Sequence, residues 1–263
     1  MCLILIAYQC HPRYPLVLLA NRDEFHQRPT APLDWWPEHP RLLAGRDLAQ
    51  GGTWMGVTRT GRLAAITNYR DPAAVRPEAP SRGALVTDYL LGTMSPADYL
   101  HRIRSRANGY NGFNLIVGDT ETLWWYSNRA PDAMRPLQPG VSGLSNHLLD
   151  TPWPKVAQGK AALVDLLNRC TEVSEEACFE LLQRREIAPD AQLPRTGVDP
   201  SWERLLSPIF IATETYGTRS STVLLIDAHH RITCTERTWQ LGQSVPAAAE
   251  TRQYAFQIEP ASR

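Results

Sequence analysis

Cys2-Leu3-Ile4-Leu5-Ile6-Ala7-Tyr8, then after Pro12 and Pro15 the run Leu16-Val17-Leu18-Leu19-Ala20 leading into Asn21-Arg22-Asp23-Glu24, sets the fold of this chain. Two apolar runs joined by a short proline turn predict a buried β-hairpin. A small residue at position two permits removal of Met1, so the mature chain is expected to begin with a thiol and a free α-amine on one residue. A thiol has a pKa of about 8.5 and an α-amine one of about 7.7–8.0, so near physiological pH the amine is roughly half neutral and can take the sulfur proton. Read instead as a core residue, Cys2 is a small buried hydrophobe, a common fate for free cysteine. No Lys or Arg precedes the apolar run, Gln9 and Cys10 end it quickly, and no small-residue cleavage pattern follows. The terminus is therefore expected to belong to the mature fold.

The chain has 263 residues, enough to bury a sizeable core, and shows no internal repeat or low-complexity tract. A single domain over 1–263 is the expectation. Lys plus Arg number 27 and Asp plus Glu 27, so no basic excess draws the chain toward nucleic acid or anionic lipid. No stretch approaches the roughly 18 apolar residues of a membrane span, and a soluble, cytoplasmic protein is expected. The five cysteines are scattered, without a Cys-x-x-Cys pair, which suits a reducing compartment. The prolines concentrate in 29–40, 71–80, 131–139 and 189–208, which read as surface loops.

Beyond the first hairpin, Gly52 to Val57, the turn Arg59-Thr60-Gly61 and Leu63 to Thr67 predict a second one, ending at Asn68-Tyr69. Residues 83–91 predict a helix, and Ser95-Pro96-Ala97-Asp98 opens another with an N-cap serine and proline at the first helical position. Strands are expected at 113–117, 122–126 and 141–146. A long helix is expected to begin at Thr151-Pro152, with Leu163, Leu166, Leu167 and Cys170 on one stripe. Ser174 caps a further helix with Cys178, Leu181 and Leu182 inward. The chain closes with strand-like runs at 208–213, 220–227, 231–237 and 254–258. Strands and helix pairs thus come in blocks, which predicts an α+β protein with antiparallel sheets and segregated helices.

Apolar runs yield abruptly to polar groups at Asn21-Arg22-Asp23, Asn68, Asn146 and Arg219. The period of two puts Asn21 and Asp23 on one strand face and Arg22 on the other. Asp23 would orient the Cys2 amine, and Asn68 or Asn146 would donate to an oxyanion, a contribution worth about 10²–10³ in rate. Each also has a structural reading: strand-end asparagines often make side-chain turns, and Arg219 fits a surface cation flanking a hairpin.

Six stretches carry a family resemblance: Ala20-Asn21-Arg22-Asp23-Glu24-Phe25, Gly51 to Gly56 with Trp54, Thr67-Asn68-Tyr69, Tyr110 to Leu115, Gly143 to Asn146 with Thr151-Pro152-Trp153, and Tyr216-Gly217-Thr218-Arg219. Together they resemble the NRDE family, also called the Transport and Golgi organisation protein 2 family, itself similar to N-terminal nucleophile hydrolases of the choloylglycine hydrolase and penicillin acylase type. The resemblance implies a four-layer α/β/β/α sandwich of two mainly antiparallel sheets. It makes Cys2 the nucleophile, Asp23 the partner of its amine, Asn68 an oxyanion donor, Asn146 a second polar contact and Arg219 a charge tuning the thiol. Asn21, Arg22, Trp54 and Tyr69, in the same motifs, are candidate substrate-binding residues. Those hydrolases place an arginine three residues before the aspartate, where Ala20 stands here with Arg22 adjacent to Asp23.

Two functions follow as expectations. One is a cysteine amidohydrolase acting on a non-peptide carbon–nitrogen bond of a small molecule. The other, also implied by the resemblance, is a non-catalytic trafficking protein of lipid homeostasis that carries a hydrophobic ligand, haem or an acyl compound such as acyl-CoA. No resident cofactor or metal is expected: the seven histidines lack a paired metal spacing, and phosphate-loop, dinucleotide and Gly-x-Ser-x-Gly patterns are missing. Trp35-Trp36 and Trp124-Trp125 fit either a ligand pocket or core packing.

Overall fold

A computed structural model describes residues 2–242 and 247–260. The initiator Met1, whose removal the reading of Cys2 requires, lies outside the described residues. The chain divides into two compact units, one of Met1–Gln27, Pro139–Ser145 and Leu149–Ala255, the other of Arg28–Gln138, Asn146–Leu148 and Phe256–Arg263. No described helix is long and apolar enough to cross a membrane.

The first unit holds a six-stranded sheet. Its strands are β1 (Cys2–Tyr8), β2 (Leu16–Phe25), β10 (Gly140–Leu144), β11 (Tyr216–Ile226), β12 (Arg231–Trp239) and β13 (Ala248–Gln257), in the order β10-β1-β2-β11-β12-β13. The β1–β2 pairing is antiparallel and aligns Cys2 with Arg22 and Leu3 with Asn21, the hairpin expected from the sequence. Helices α3 (Pro154–Arg169) and α4 (Glu175–Leu182) cover one face. Leu3, Leu5, Val17, Leu19 and Val223 meet Val156, Leu163, Phe179 and Leu182 there, and each such burial contributes about 1.5–3 kcal/mol. Ile4, Ile6 and Leu18, on the opposite face, are buried as well. That is why the strands read as unbroken apolar runs with no alternation. Ser174 Oγ accepts from the Ala177 N–H and caps α4 as expected. The long helix starts at Pro154, slightly later than expected, and approaches β1 closely because Gly159 lacks a Cβ: one built there would lie 2.8 Å from Leu5 Cδ1.

The second unit holds a seven-stranded antiparallel sheet in sequence order: β3 (Thr30–Trp36), β4 (His39–Asp47), β5 (Met55–Thr58), β6 (Leu63–Asn68), β7 (Phe113–Gly118), β8 (Leu123–Ser127) and β9 (Ala130–Pro136). Helices α1 (Gly83–Leu91) and α2 (Pro96–Arg104) cover it, with Ser95 Oγ accepting from the Asp98 N–H. Trp36, Leu42, Ile66, Leu85, Tyr89, Leu100 and Phe113 form their shared core.

The α+β class, the mainly antiparallel sheets and the helix pairs agree with the sequence reading. Several boundaries are corrected. Within the stretches 29–40 and 131–139, read as proline loops, lie the strand β3, the start of β4, and most of β9. Proline is tolerated there because β3 and β9 are the sheet's edges and Pro40 is the second residue of its strand. The expected strand at 208–213 is irregular, with an isolated bridge at Ala212–Gly217. A short helix α5 (Pro200–Leu205), capped by Asp199, lies in a stretch read as loop.

Candidate active site around Cys2

Asn21-Arg22-Asp23 does not end a strand: β2 runs on to Phe25. Its alternation is as expected. Asn21 and Asp23 point toward the helix-covered face with Val17 and Leu19, whereas Arg22, directly opposite Cys2, shares the other face with the thiol.

Cys2 is 8% exposed. Burial pushes its thiol above the ordinary range, the Asp23 carboxylate adds to that rise, and Arg22 and the Asp23 backbone N–H oppose it. A thiol in this setting is no ready-made thiolate, so a nucleophilic role requires a base close by. The next register step beyond Cys2–Arg22 leads to Asp23, so the nitrogen of Cys2 lies on the Asp23 side of its residue. Ser145 Oγ donates to the Cys2 carbonyl at 3.0 Å and ties down the end of β1.

Asp23 is 1% exposed. Thr218 Oγ1 donates to its Oδ1 at 2.8 Å, and the Lys155 ammonium of α3 lies 3.7 Å from Oδ2. Burial drives the carboxyl above the usual carboxylate range, with Lys155 foremost among the described groups that hold it down. Lys155 was not singled out in the sequence. Its signal was there, in the run Thr151-Pro152-Trp153-Pro154-Lys155, but a single lysine entering a helix ordinarily reads as a surface residue.

Arg219 sits on β11 where the register slips: Thr218 faces Asp23 and Ser220 faces Arg22, leaving Arg219 as the extra residue of a bulge. A bulge re-aims the side chain it carries. Arg219 Nη1 donates to the Phe25 carbonyl at 3.0 Å. Burial, and then the like charge of Arg22, pull its guanidinium below the usual range.

Asn21 is fully buried and donates to the Leu182 and Ile209 carbonyls, both at 2.8 Å, while its oxygen accepts from Ser221 Oγ. The amide expected at a substrate therefore ties the end of α4 and the segment before β11 to the sheet.

The remaining candidates belong to the second unit. Asn68 ends β6, and Asn146 Nδ2 donates to its carbonyl at 3.0 Å. Tyr69 and His147 share a hydrogen bond between the phenol oxygen and Nε2 at 2.8 Å, and burial lowers the His147 imidazole below its ordinary range. Asn114 Nδ2 donates to the His147 carbonyl at 2.9 Å and to Thr67 Oγ1 at 3.2 Å. The structure thus brings Asn68, Tyr69 and Asn146 together and adds His147 and Asn114, which the sequence reading did not assign. Trp54 packs instead against the core under α1 and α2. Trp36 and Trp124 pack there too, and Arg59 covers the Trp35 ring at 4.0 Å.

The site is thus a buried cysteine strand beside an aspartate, on a sheet covered by a helix pair. The sequence pattern of the Transport and Golgi organisation 2 family matches residues 1–241, and the chain belongs to that family. It is 36% identical to the Transport and Golgi organization protein 2 homolog of Bos taurus, over 98% of this chain and all of that one. Identity to the Homo sapiens homolog is 34% over the same shares, and to the Drosophila melanogaster protein 27%, over 90% of this chain and 92% of that one. Among solved structures, the Caenorhabditis elegans N-acylethanolamine-hydrolyzing acid amidase ortholog aligns at TM-score 0.44 and 10% identity, covering 85% of this chain and 92% of that one. A mutant conjugated bile acid hydrolase from Clostridium perfringens aligns at 0.42 and 10%, covering 100% and 99%.

Proposed function

We propose that this chain is an N-terminal nucleophile amidohydrolase that cleaves a non-peptide carbon–nitrogen bond of a small acyl compound. Loss of Met1 frees the Cys2 α-amine, which takes the thiol proton as the sulfur bonds to the substrate's carbonyl carbon. Collapse of the adduct breaks the carbon–nitrogen bond, and the proton held by the amine passes to the leaving nitrogen. Water then attacks the thioester, giving its proton to the amine; the carboxylic acid departs and the thiol is restored.

The observation that carries this reading is the pairing of β1 with β2, which sets Cys2 opposite Arg22 and one step from Asp23 in a buried setting. Because burial disfavours the thiolate, a base on the same residue is the economical way to activate this sulfur. Asp23 orients the amine and stabilises it while it is protonated.

The test is incubation with a panel of N-acyl p-nitroanilides, followed by intact-mass measurement. An acyl adduct that maps to Cys2, accompanied by a burst of p-nitroaniline and lost in Cys2→Ala, is the expected result. Release of p-nitroaniline that persists in Cys2→Ala would contradict the assignment.

A further inference from the structure

Lys155 is the second residue of α3, 1% exposed, with its ammonium 3.7 Å from Asp23 Oδ2. Nothing about the helix calls for a cation there. The first turn of a helix favours anions, because its N–H groups carry the positive end of the dipole. Lysine is also among the residues least often fully buried without a paired charge. Two features deliver it nonetheless: Pro154 begins the helix, and Gly159 lets α3 settle against Leu5 of β1, whose first residue is Cys2.

Facing Asp23 are the Lys155 ammonium from α3 and the Thr218 hydroxyl from β11, while the Cys2 thiol of β1 lies on the opposite face of the sheet with Arg22. Of the two groups that face Asp23, Lys155 alone brings a positive charge. A buried carboxylate without such a partner takes up a proton. We propose that Lys155 is a positioning residue of the Cys2 site, whose ammonium keeps Asp23 ionised and aimed at the amino end of β1. This assignment rests on the reading of Cys2 as the nucleophile, and it adds to that reading a residue on which the aspartate depends. A neutral Asp23 would offer the protonated amine a carbonyl acceptor without an opposite charge; the ionised form offers both.

The pair is tested by following the Asp23 carboxyl carbon by NMR through a pH titration of protein labelled with [¹³C]aspartate, the signal being assigned by its loss in Asp23→Asn. In the unsubstituted chain Asp23 is expected to be ionised at pH 7. In Lys155→Gln its midpoint should rise by about two units or more, whereas Lys155→Arg should keep it near the starting value. A wild-type Asp23 already protonated at pH 7, or a Lys155→Gln midpoint that does not move, would overturn the proposal. Action through Asp23 further requires that Lys155→Gln, Asp23→Asn and the double variant alkylate Cys2 with iodoacetamide at one common rate at pH 7. A double variant that differs from Asp23→Asn would overturn it. Should Lys155→Gln fail to fold, the double variant decides: recovery of the fold identifies the stranded Asp23 charge as the fault, and no recovery makes Lys155 a packing residue. The Asp23 signal is read whether or not Met1 is present, so a chain that keeps Met1 refutes the nucleophile while the midpoint still judges Lys155.

Discussion

Two polar residues of one tetrapeptide, Asn21 and Asp23, face the same way and serve different ends. Asn21 satisfies two buried carbonyls and accepts a hydroxyl, and an unmet buried polar group costs about 1–3 kcal/mol. Asn21→Ala is therefore expected to lower unfolding free energy by about 3 kcal/mol or more, measured by urea denaturation; a loss below about 1 kcal/mol would contradict the tie. Cys2→Ala removes one small side chain, so it should abolish the acyl adduct while costing only about 1 kcal/mol of stability. Asp47 supplies a pH test. Burial opposes its ionisation, but Arg28 and the backbone N–H groups of Ala49 and Gln50 outweigh that and hold its carboxyl below the usual range. A depressed carboxyl contributes stability above its unfolded pKa of about 3.9 and loses it as pH falls through the lower folded value. Asp47→Asn should accordingly be destabilised relative to wild type at pH 7, with the gap narrowing as pH falls below the unfolded value and closing beneath the lower folded one; a gap independent of pH would refute the pairing. At this scale the sequence disclosed the thiol and the acid, since a Cys at position two and a charged strand residue are visible in a line of letters. Lys155 was hidden because its partner lies 132 positions earlier, and neither period nor motif spacing joins a helix start to a strand.

Among the elements, β11 makes a tight backbone contact. Its Gly217 lies against the segment before the strand, where an added Cβ would stand 2.5 Å from the Ile211 carbonyl oxygen, a backbone atom. The Thr218 N–H donates to that same oxygen at 2.8 Å, and Thr218 in turn bonds Asp23. Gly217→Ala is therefore expected to cost about 1–3 kcal/mol, as overpacking does, and to disturb the Asp23 carboxyl signal; a neutral substitution would show that the segment yields freely. Three helices were legible: α1 matches 83–91, and the Ser95 and Ser174 caps of α2 and α4 make the expected bonds. The strands β3 and β9 escaped notice because proline argues against strand only where both neighbours need its N–H. At a sheet edge one side needs nothing.

Over the whole molecule, each unit has its own sheet, helix pair and apolar core. The α+β class was readable from blocks of strands and helices, which call for local antiparallel pairing instead of parallel crossovers. The balanced charge, 27 basic against 27 acidic residues, removes long-range repulsion between copies near neutrality. Solubility at low salt should therefore pass through a minimum near pH 7 and rise on either side; a monotonic curve would show that surface patches outweigh net charge. Above all, the functional proposal requires that the finished polypeptide begin at Cys2. The most direct measurement is the mass of the purified native chain before and after treatment with 2-cyanobenzothiazole, which condenses with a thiol and amine on adjacent carbons. A mass lacking the initiator methionine, and one adduct located at Cys2, is the predicted result. A chain that retains methionine and takes up no reagent would contradict the account.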